Sequence, residues 1–302
     1  MSAEPPEPGD PAPPPPAVPV AGPGTGVVQG KGGRAGRDLP AAIAVGLGLV
    51  ALIVVPLFIE RAAFAVILAL VIGIAVHELT VALRGTGVDP PLVPLLVGSA
   101  ATVLGAYWGG ADAALGCFLV SGLVVLAWRL VLPGSGAPTR DAAAGMLVLG
   151  YCGFLASFCA LLTAPADGPR RVLAFIATVV FSDIGGYVVG VLTGGRHKLA
   201  PGISPGKSWE GLGGSIASCV LVGVGCMTLL LHRGAWTGVV LGVALAATAV
   251  LGDLGESALK RDIGIKDMGT LLPGHGGILD RLDSLLASAP VAWIVISALA
   301  PH

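Results

Sequence analysis

The residues best suited to chemistry lie in one charged stretch, residues 253–283, of a chain in which only 12% of the residues are charged. The apolar runs on either side of it are long enough to span a membrane, and charge at a membrane boundary marks a functional site because burying it is costly. Four aspartates of the stretch are hard oxygen donors: Asp253, Asp267, Asp280 and Asp283. Since Mg²⁺ usually takes one or two carboxylates together with phosphate oxygens and water, the stretch suits this metal as a cofactor.

Basic side chains in the same stretch could neutralise a polyphosphate: Lys260, Arg261, Lys266 and Arg281. The glycine-rich run at 273–277 lets backbone approach a ligand closely. His275 within it either contacts a phosphate or holds the loop in shape. Asp280 and Asp283 are three apart, so they share one face at the start of the last helix. Carboxylates for a metal beside basic groups are the equipment of phosphoryl transfer, in which alignment and charge neutralisation provide most of the catalysis.

A fifth candidate catalytic carboxylate, Asp183, lies inside an apolar run, residues 172–193. Ten residues separate it from the end of that run, which places it roughly 15 Å below the surface at 1.5 Å per helical residue. An isolated carboxylate at this depth costs a few kcal/mol, so Asp183 should face a polar cavity, a cation or a bound metal. The alternative is a structural contact with a hydroxyl or backbone group.

The loop at 194–214 is a second polar cluster, rich in glycine and carrying Ser204 and Lys207. Its GKS sequence is not a P-loop, because the pattern G-x-x-x-x-G-K-[ST] needs glycine where this chain has Pro201 and no strand precedes it. Exposed backbone N–H groups beside basic side chains instead predict an anion-binding loop.

These residues must be positioned by membrane helices, because the chain is 54% hydrophobic. Nine apolar runs come close to the roughly 20 residues that a membrane span needs, so we predict an all-α polytopic membrane protein: 40–59, 62–83, 91–108, 113–132, 141–163, 172–193, 212–231, 235–252 and 282–300. Glu78, near the end of the second run, either reaches a polar interior or turns toward the interface. The segment 1–39 is rich in Pro, Gly and Ala and predicts a disordered tail, which leaves residues 40–302 as the catalytic domain.

The distribution of charge predicts the orientation of the chain. With nine spans, 13 of the 17 Lys and Arg residues fall on the side that holds the amino terminus, the loop at 194–214 and the stretch at 253–283, and four fall on the other side. The positive-inside rule therefore places the amino terminus and both polar clusters in the cytoplasm. We expect a multi-pass protein of the cell (inner) membrane, in contact with the lipid bilayer and with no nucleic-acid partner.

The charged stretch also resembles the signature of a known family. The matching run is Ser257-x-x-Lys260-Arg261-x4-Lys266-Asp267-x-Gly269-x2-Leu272-x-x-His275-Gly276-Gly277-x-x-Asp280-Arg281-x-Asp283. Two upstream blocks agree, Ser182-Asp183-x3-Tyr187-x2-Gly190 and Ser204-Pro205-x-Lys207-Ser208-x-Glu210-Gly211, with Ser208 where threonine is usual. On these residues the chain is similar to the phosphatidate cytidylyltransferases, also called CDP-diacylglycerol synthases.

The resemblance implies transfer of CMP from CTP to phosphatidic acid, which gives CDP-diacylglycerol and pyrophosphate and requires Mg²⁺. It implies a homodimer and points to Asp253 and Asp280 as metal ligands, followed by Asp283 and Asp267. The basic residues of the stretch would bind the triphosphate, and Ser204 and Lys207 would hold the nucleotide or the lipid phosphate.

Two other functions stay open at this point. One is a CTP-dependent transferase that acts on a different lipid phosphate, such as an isoprenoid-based one. The other is a secondary transporter, because glycine-broken polar segments among spans also mark transport pathways. The transporter is disfavoured, because no second copy of the stretch is present in the first half of the chain.

Overall fold

The computed structural model describes residues 48, 51, 53–132, 137–269, 271 and 276–301. The tail predicted at 1–39, most of the run at 40–59 and His275 lie outside the described residues. Residues 53–59 are helical and lead directly into the first complete helix.

Seven helices in the described part of the chain are long and apolar enough to cross a membrane. They are α1 (Arg61–Arg84), α2 (Leu92–Val131), α3 (Pro138–Thr163), α4 (Gly168–Leu192), α5 (Trp209–Leu230), α6 (Ala235–Ile263) and α7 (Leu279–Leu299). A short antiparallel hairpin, β1 (Lys198–Ala200) and β2 (Ser204–Ser208), precedes α5, with Lys198 opposite Ser208. The predicted all-α membrane fold is confirmed.

The difference between seven helices and nine predicted spans has a physical cause in α2. This helix is 40 residues long, but Gly110 within it has φ 74° and ψ −164°, which are not helical angles. The two halves fold back on each other, since a Cβ on Gly98 would lie 2.6 Å from Ser121 and one on Gly105 would lie 3.0 Å from the sulfur of Cys117. The single element thus supplies the runs predicted at 91–108 and 113–132, and the first predicted span falls mostly outside the described residues.

Two predicted boundaries were wrong. The apolar run predicted to end at residue 252 continues as helix α6 to Ile263, so the first part of the charged stretch is helical and not a loop. The helix ends only where Gly264 takes up φ 79°, a left-handed conformation that suits glycine. The loop predicted at 194–214 ends at Ser208, which caps α5 by accepting a hydrogen bond from the N–H of Gly211 at 3.1 Å. Pro290 does not end α7.

Helices α4, α5 and α6 pack through glycine, which lets their backbones touch. A Cβ on Gly214 would lie 2.5 Å from the carbonyl oxygen of Gly185, and one on Gly238 would lie 2.3 Å from the Cα of Val224. Small residues at helix interfaces are typical of membrane proteins, where van der Waals contact takes the place of the hydrophobic effect. This close packing fixes the half of the bundle that carries the polar residues.

Charged side chains tie the helix ends together at both ends of the bundle. At one end, Asp89 forms ion pairs with Arg84 at 2.7 Å and Arg129 at 2.8 Å, and its N–H donates to the buried Asp141. Burial alone would raise the pKa of Asp89, but the two guanidinium groups lower it below its ordinary value. At the opposite end, Arg171 donates to the carbonyl oxygen of Ala300 at 2.6 Å.

Candidate active site

The two polar clusters of the sequence meet at one cavity of about 500 Å³. Its walls come from α4, the β1–β2 hairpin, α5, α6 and α7. Seven of the predicted site residues line it: Asp183, Ser204, Lys207, Asp253, Asp280, Arg281 and Asp283. The structure therefore brings together residues that are separated by up to a hundred positions in the sequence.

Helix α6 presents Asp253 to the cavity and carries two more charged residues on the same face. Asp253, Glu256 and Lys260 follow at i, i+3 and i+7, the spacing of one helix stripe. Asp253 forms an ion pair with Lys207 of β2, and its Oδ1 accepts a hydrogen bond from Ser257 at 3.3 Å. The hairpin is thereby fastened to α6 by a carboxylate and an ammonium group that both line the cavity.

Asp280 holds the segment that precedes α7. Its Oδ1 lies 2.9 Å from Nζ of Lys260, and its Oδ2 accepts N–H bonds from Met268 at 2.9 Å and Gly277 at 2.8 Å. A carboxylate that accepts several N–H bonds is stabilised in its charged form. Asp280 thus organises the loop between α6 and α7 while one edge of its side chain lines the cavity.

Glu256 is a site residue that sequence reasoning missed. It is 1% exposed, its Oε2 lies 3.2 Å from Nζ of Lys260, and it interacts with Asp283. Lys260 therefore bridges Glu256 and Asp280. The signal was present in the sequence as an i,i+4 pair of opposite charge, but it has this meaning only if residues 253–263 are helical.

Glu78 is a residue for which the sequence left two alternatives open. Its side chain is buried at 7% exposure and points toward the site end of α7, where its carboxylate accepts the N–H groups of Ile278 and Leu279. Of the two alternatives for Glu78, the polar interior is correct. No local pattern could have named its partners, which lie 200 residues further along the chain.

Four of the remaining predicted residues are described by the structure and are not part of the cavity lining: Lys260, Arg261, Lys266 and Asp267. Arg261 contacts the turn before β2, with Nε donating to the carbonyl oxygen of Ile203 at 3.4 Å. Lys266 and Asp267 are exposed and are not part of the described lining. His275 lies outside the described residues.

The carboxylates of the cavity suit a metal ion that is also bound by phosphate oxygens of a substrate. Within the residues that the structure describes, no three His, Cys, Asp or Glu side chains converge as a ready metal cluster. Four aspartates nevertheless line the cavity, of which Asp253 and Asp280 are paired with lysines. Mg²⁺ needs only one or two carboxylates when phosphate oxygens and water complete its shell, so these residues fit it together with a polyphosphate.

A polar cavity lined by carboxylates and basic groups, set among apolar helices of spanning length, defines a membrane protein that handles anionic substrates. The chain belongs to the cytidylyltransferase family, whose model matches residues 40–299. It is 43% identical over 281 residues to a phosphatidate cytidylyltransferase of Mycobacterium leprae (strain TN), which covers 88% of this chain and 90% of that protein. A phosphatidate cytidylyltransferase of Brucella suis biovar 1 (strain 1330) is 40% identical over 178 residues, 59% of this chain and 63% of that protein.

Proposed function

We propose that this protein is a phosphatidate cytidylyltransferase, which transfers CMP from CTP to phosphatidic acid and releases pyrophosphate. The observation that carries the proposal is the joint cavity, which is lined by three aspartates, Asp253, Asp280 and Asp283, together with Lys207 and Arg281, and is large enough for substrate groups. The family and the similarity to the mycobacterial protein support the choice of CTP and phosphatidic acid as substrates.

The reaction needs no nucleophilic side chain. A phosphate monoester has a second pKa near 6, so the lipid phosphate carries nearly two negative charges at neutral pH. One of its oxygens attacks the α-phosphorus of CTP and forms a new P–O bond. The bond from the α-phosphorus to the bridging oxygen of the β-phosphate breaks, and pyrophosphate leaves with that electron pair. The protein must align the two phosphates and neutralise their charge.

Asp253, Asp280 and Asp283 are the residues that would hold Mg²⁺. When bound, the metal would neutralise phosphate charge and fix the polyphosphate against the carboxylates. Lys207 now neutralises Asp253, and it would be free to contact a phosphate once a cation takes its place. Arg281 lines the same cavity, and its planar guanidinium suits the departing pyrophosphate.

Asp183 and the hairpin would complete the site. Asp183 lines the cavity from the middle of α4, and Ser204 lines it from β2. We propose that Lys260 keeps Asp280 charged, that Arg261 and Lys266 attract the triphosphate at the rim, and that Ser204 contacts a phosphate.

We also propose that the cavity opens to the cytoplasm and that the protein acts as a homodimer. The first proposal rests on the excess of Lys and Arg predicted on that side, the second on the family resemblance. Accessibility of cysteines introduced at positions 202 and 262 in intact cells would test the orientation, and the mass of the protein in nanodiscs would test the dimer.

The test of the function is pyrophosphate release by purified protein with Mg²⁺, CTP and phosphatidic acid. Asp253→Asn and Asp280→Asn should each reduce the rate at least a hundredfold, since each removes a negative charge that would hold Mg²⁺ against the phosphates. Asp262→Asn is the matched control, because Asp262 is exposed on the same helix and does not line the cavity. Full activity of both site variants would refute the site. A strong preference for an isoprenoid-based phosphate in competition would change the substrate.

A further inference from the structure

Helix α7 begins without a capping side chain of its own. Ile278 is at the N-cap position and makes no side-chain cap. The first N–H groups of any helix lack acceptors within the helix and must be satisfied from elsewhere. Here the acceptor is Glu78 of α1, whose Oε1 accepts the N–H of Ile278 at 3.0 Å and whose Oε2 accepts the N–H of Leu279 at 2.9 Å.

Two carboxylates together hold three consecutive N–H groups at this point. Asp280 accepts the N–H of Gly277 at 2.8 Å, and Glu78 accepts the next two. Because Asp280 also lines the cavity, the bonds of Glu78 set the start of the helix turn from which a site carboxylate projects. A carboxylate at a helix N-terminus is further favoured by the helix dipole.

The preceding loop is shaped around the same carboxylate. A Cβ on Gly269 would lie 2.4 Å from Oε1 of Glu78, and a Cβ on Gly277 would lie 2.6 Å from its Oε2. Carbon atoms do not approach oxygen this closely, so a side chain at residue 269 or 277 would displace the Glu78 carboxylate. The loop and the helix start are thus built on one buried side chain from the first half of the chain.

We infer that Glu78 is a positioning residue for the reaction: it fixes the start of α7 and through it the placement of Asp280 and Asp283 in the cavity. This inference rests on the proposed function for its effect on the rate, but not for its effect on the structure. If Glu78 only stabilised the fold as a whole, its replacement would speed up amide exchange in α1, α2 and α3 as much as at the start of α7.

The test combines hydrogen exchange with kinetics on the full chain in detergent. In Glu78→Gln one oxygen is replaced by an NH₂ group that cannot accept, so one of the two N–H bonds is lost. We expect amide exchange in residues 276–283 to speed up about tenfold and kcat to fall about tenfold. The Mg²⁺ concentration for half-maximal rate should rise, and KM for phosphatidic acid should stay the same. Glu78→Ala should show larger changes of the same kind.

Asp141→Asn is the matched control. Asp141 is also fully buried and also accepts a backbone N–H, that of Asp89, but it contacts no described residue of 264–283. It should lower the melting temperature without faster exchange at 276–283 and without a changed Mg²⁺ requirement. If Glu78→Gln yields no folded protein, Gly277→Ala provides the same test from the other side, since its methyl group displaces the Glu78 carboxylate.

Exchange at 276–283 that equals wild type in Glu78→Gln or Gly277→Ala would overturn the inference. An exchange pattern that matches Asp141→Asn would do the same. Wild-type protein that releases no pyrophosphate would instead overturn the proposed function, and the exchange result would still decide whether Glu78 holds α7.

Discussion

Replacement of Lys260 by methionine tests how the site tolerates so many carboxylates. Nζ of Lys260 lies 2.9 Å from Oδ1 of Asp280 and 3.2 Å from Oε2 of Glu256. The side chains of these two partners are 7% and 1% exposed, whereas that of Lys260 is 17% exposed. Methionine keeps the length of the side chain and removes its charge, so both carboxylates lose their common counter-charge.

The expected loss of stability follows from burial. Removal of one partner from a buried ion pair costs about 3–5 kcal/mol because a charge is left without compensation. Partial exposure of Lys260 favours the lower end, about 3 kcal/mol. At about 2–4 °C per kcal/mol for a domain of this size, the melting temperature should fall by about 6–12 °C. The double variant Lys260→Met with Glu256→Gln removes one of the two unpaired charges and should recover about 1–3 kcal/mol.

Thermal unfolding in detergent measures both variants, and pyrophosphate release measures their activity. Activity should not return in the double variant, because Asp280 still lacks its lysine. Lys266→Met is the control for loss of a lysine, since Lys266 is exposed and should change stability by no more than about 0.5 kcal/mol. A melting temperature of Lys260→Met within 2 °C of wild type, or a double variant no more stable than the single one, would refute this account of the pairing.

Three further predictions concern packing, the bend and pH. Gly214→Ala should lower the free energy of unfolding by about 1–3 kcal/mol and lower activity, because the new Cβ meets the backbone of α4. Its neighbour Gly213 is the control: a Cβ there meets nothing within 4 Å, so Gly213→Ala should leave the melting temperature unchanged or raise it. Gly110→Ala should lower the free energy of unfolding by about 1–3 kcal/mol. The backbone angles alone cause this loss, because a Cβ at this position would meet nothing within 4 Å. An unchanged melting temperature would argue against the bend. Asp89 has a lowered pKa, so its ion pairs stabilise fully above the ordinary value of 3.8 and this contribution is lost at lower pH. Asp89→Asn should be up to about 1 kcal/mol less stable at pH 7 and should lose less than wild type on acidification, as unfolding at several pH values would show.

The sequence predicted the membrane class, and seven of the site residues that it singled out line the cavity. The membrane class could be predicted because span length and the cost of burying charge are local properties, and the two polar clusters could be linked because the resemblance covered residues from three separate segments. The role of Glu78 could not be predicted in the same way. Its partners are backbone N–H groups, which every residue except proline carries, so no side-chain type marks them.

The wrong end of α6 shows a second limit. Hydropathy falls at residue 252, so a criterion based on membrane spans ends the helix there. A helix in fact continues until its backbone leaves helical angles. Residues 253–263 contain no proline, and Gly264 is the first position with a left-handed φ. The charged residues beyond the apolar run thus stay on a rigid element, and it was the helical stripe that revealed Glu256.

The placement of the charges on helices explains how an apolar protein can keep a reactive site precise. Asp253 and Lys260 project from one face of α6, and Asp280 and Asp283 project from the first two turns of α7. The two helices pack against each other, so side chains on facing turns keep their separation better than side chains on a loop would. The cost of burying these carboxylates is offset because lysines and backbone N–H groups pair with them. The ion pairs and hydrogen bonds that stabilise these buried carboxylates also orient them toward the cavity. A variant that breaks one of them should therefore lose stability and activity together.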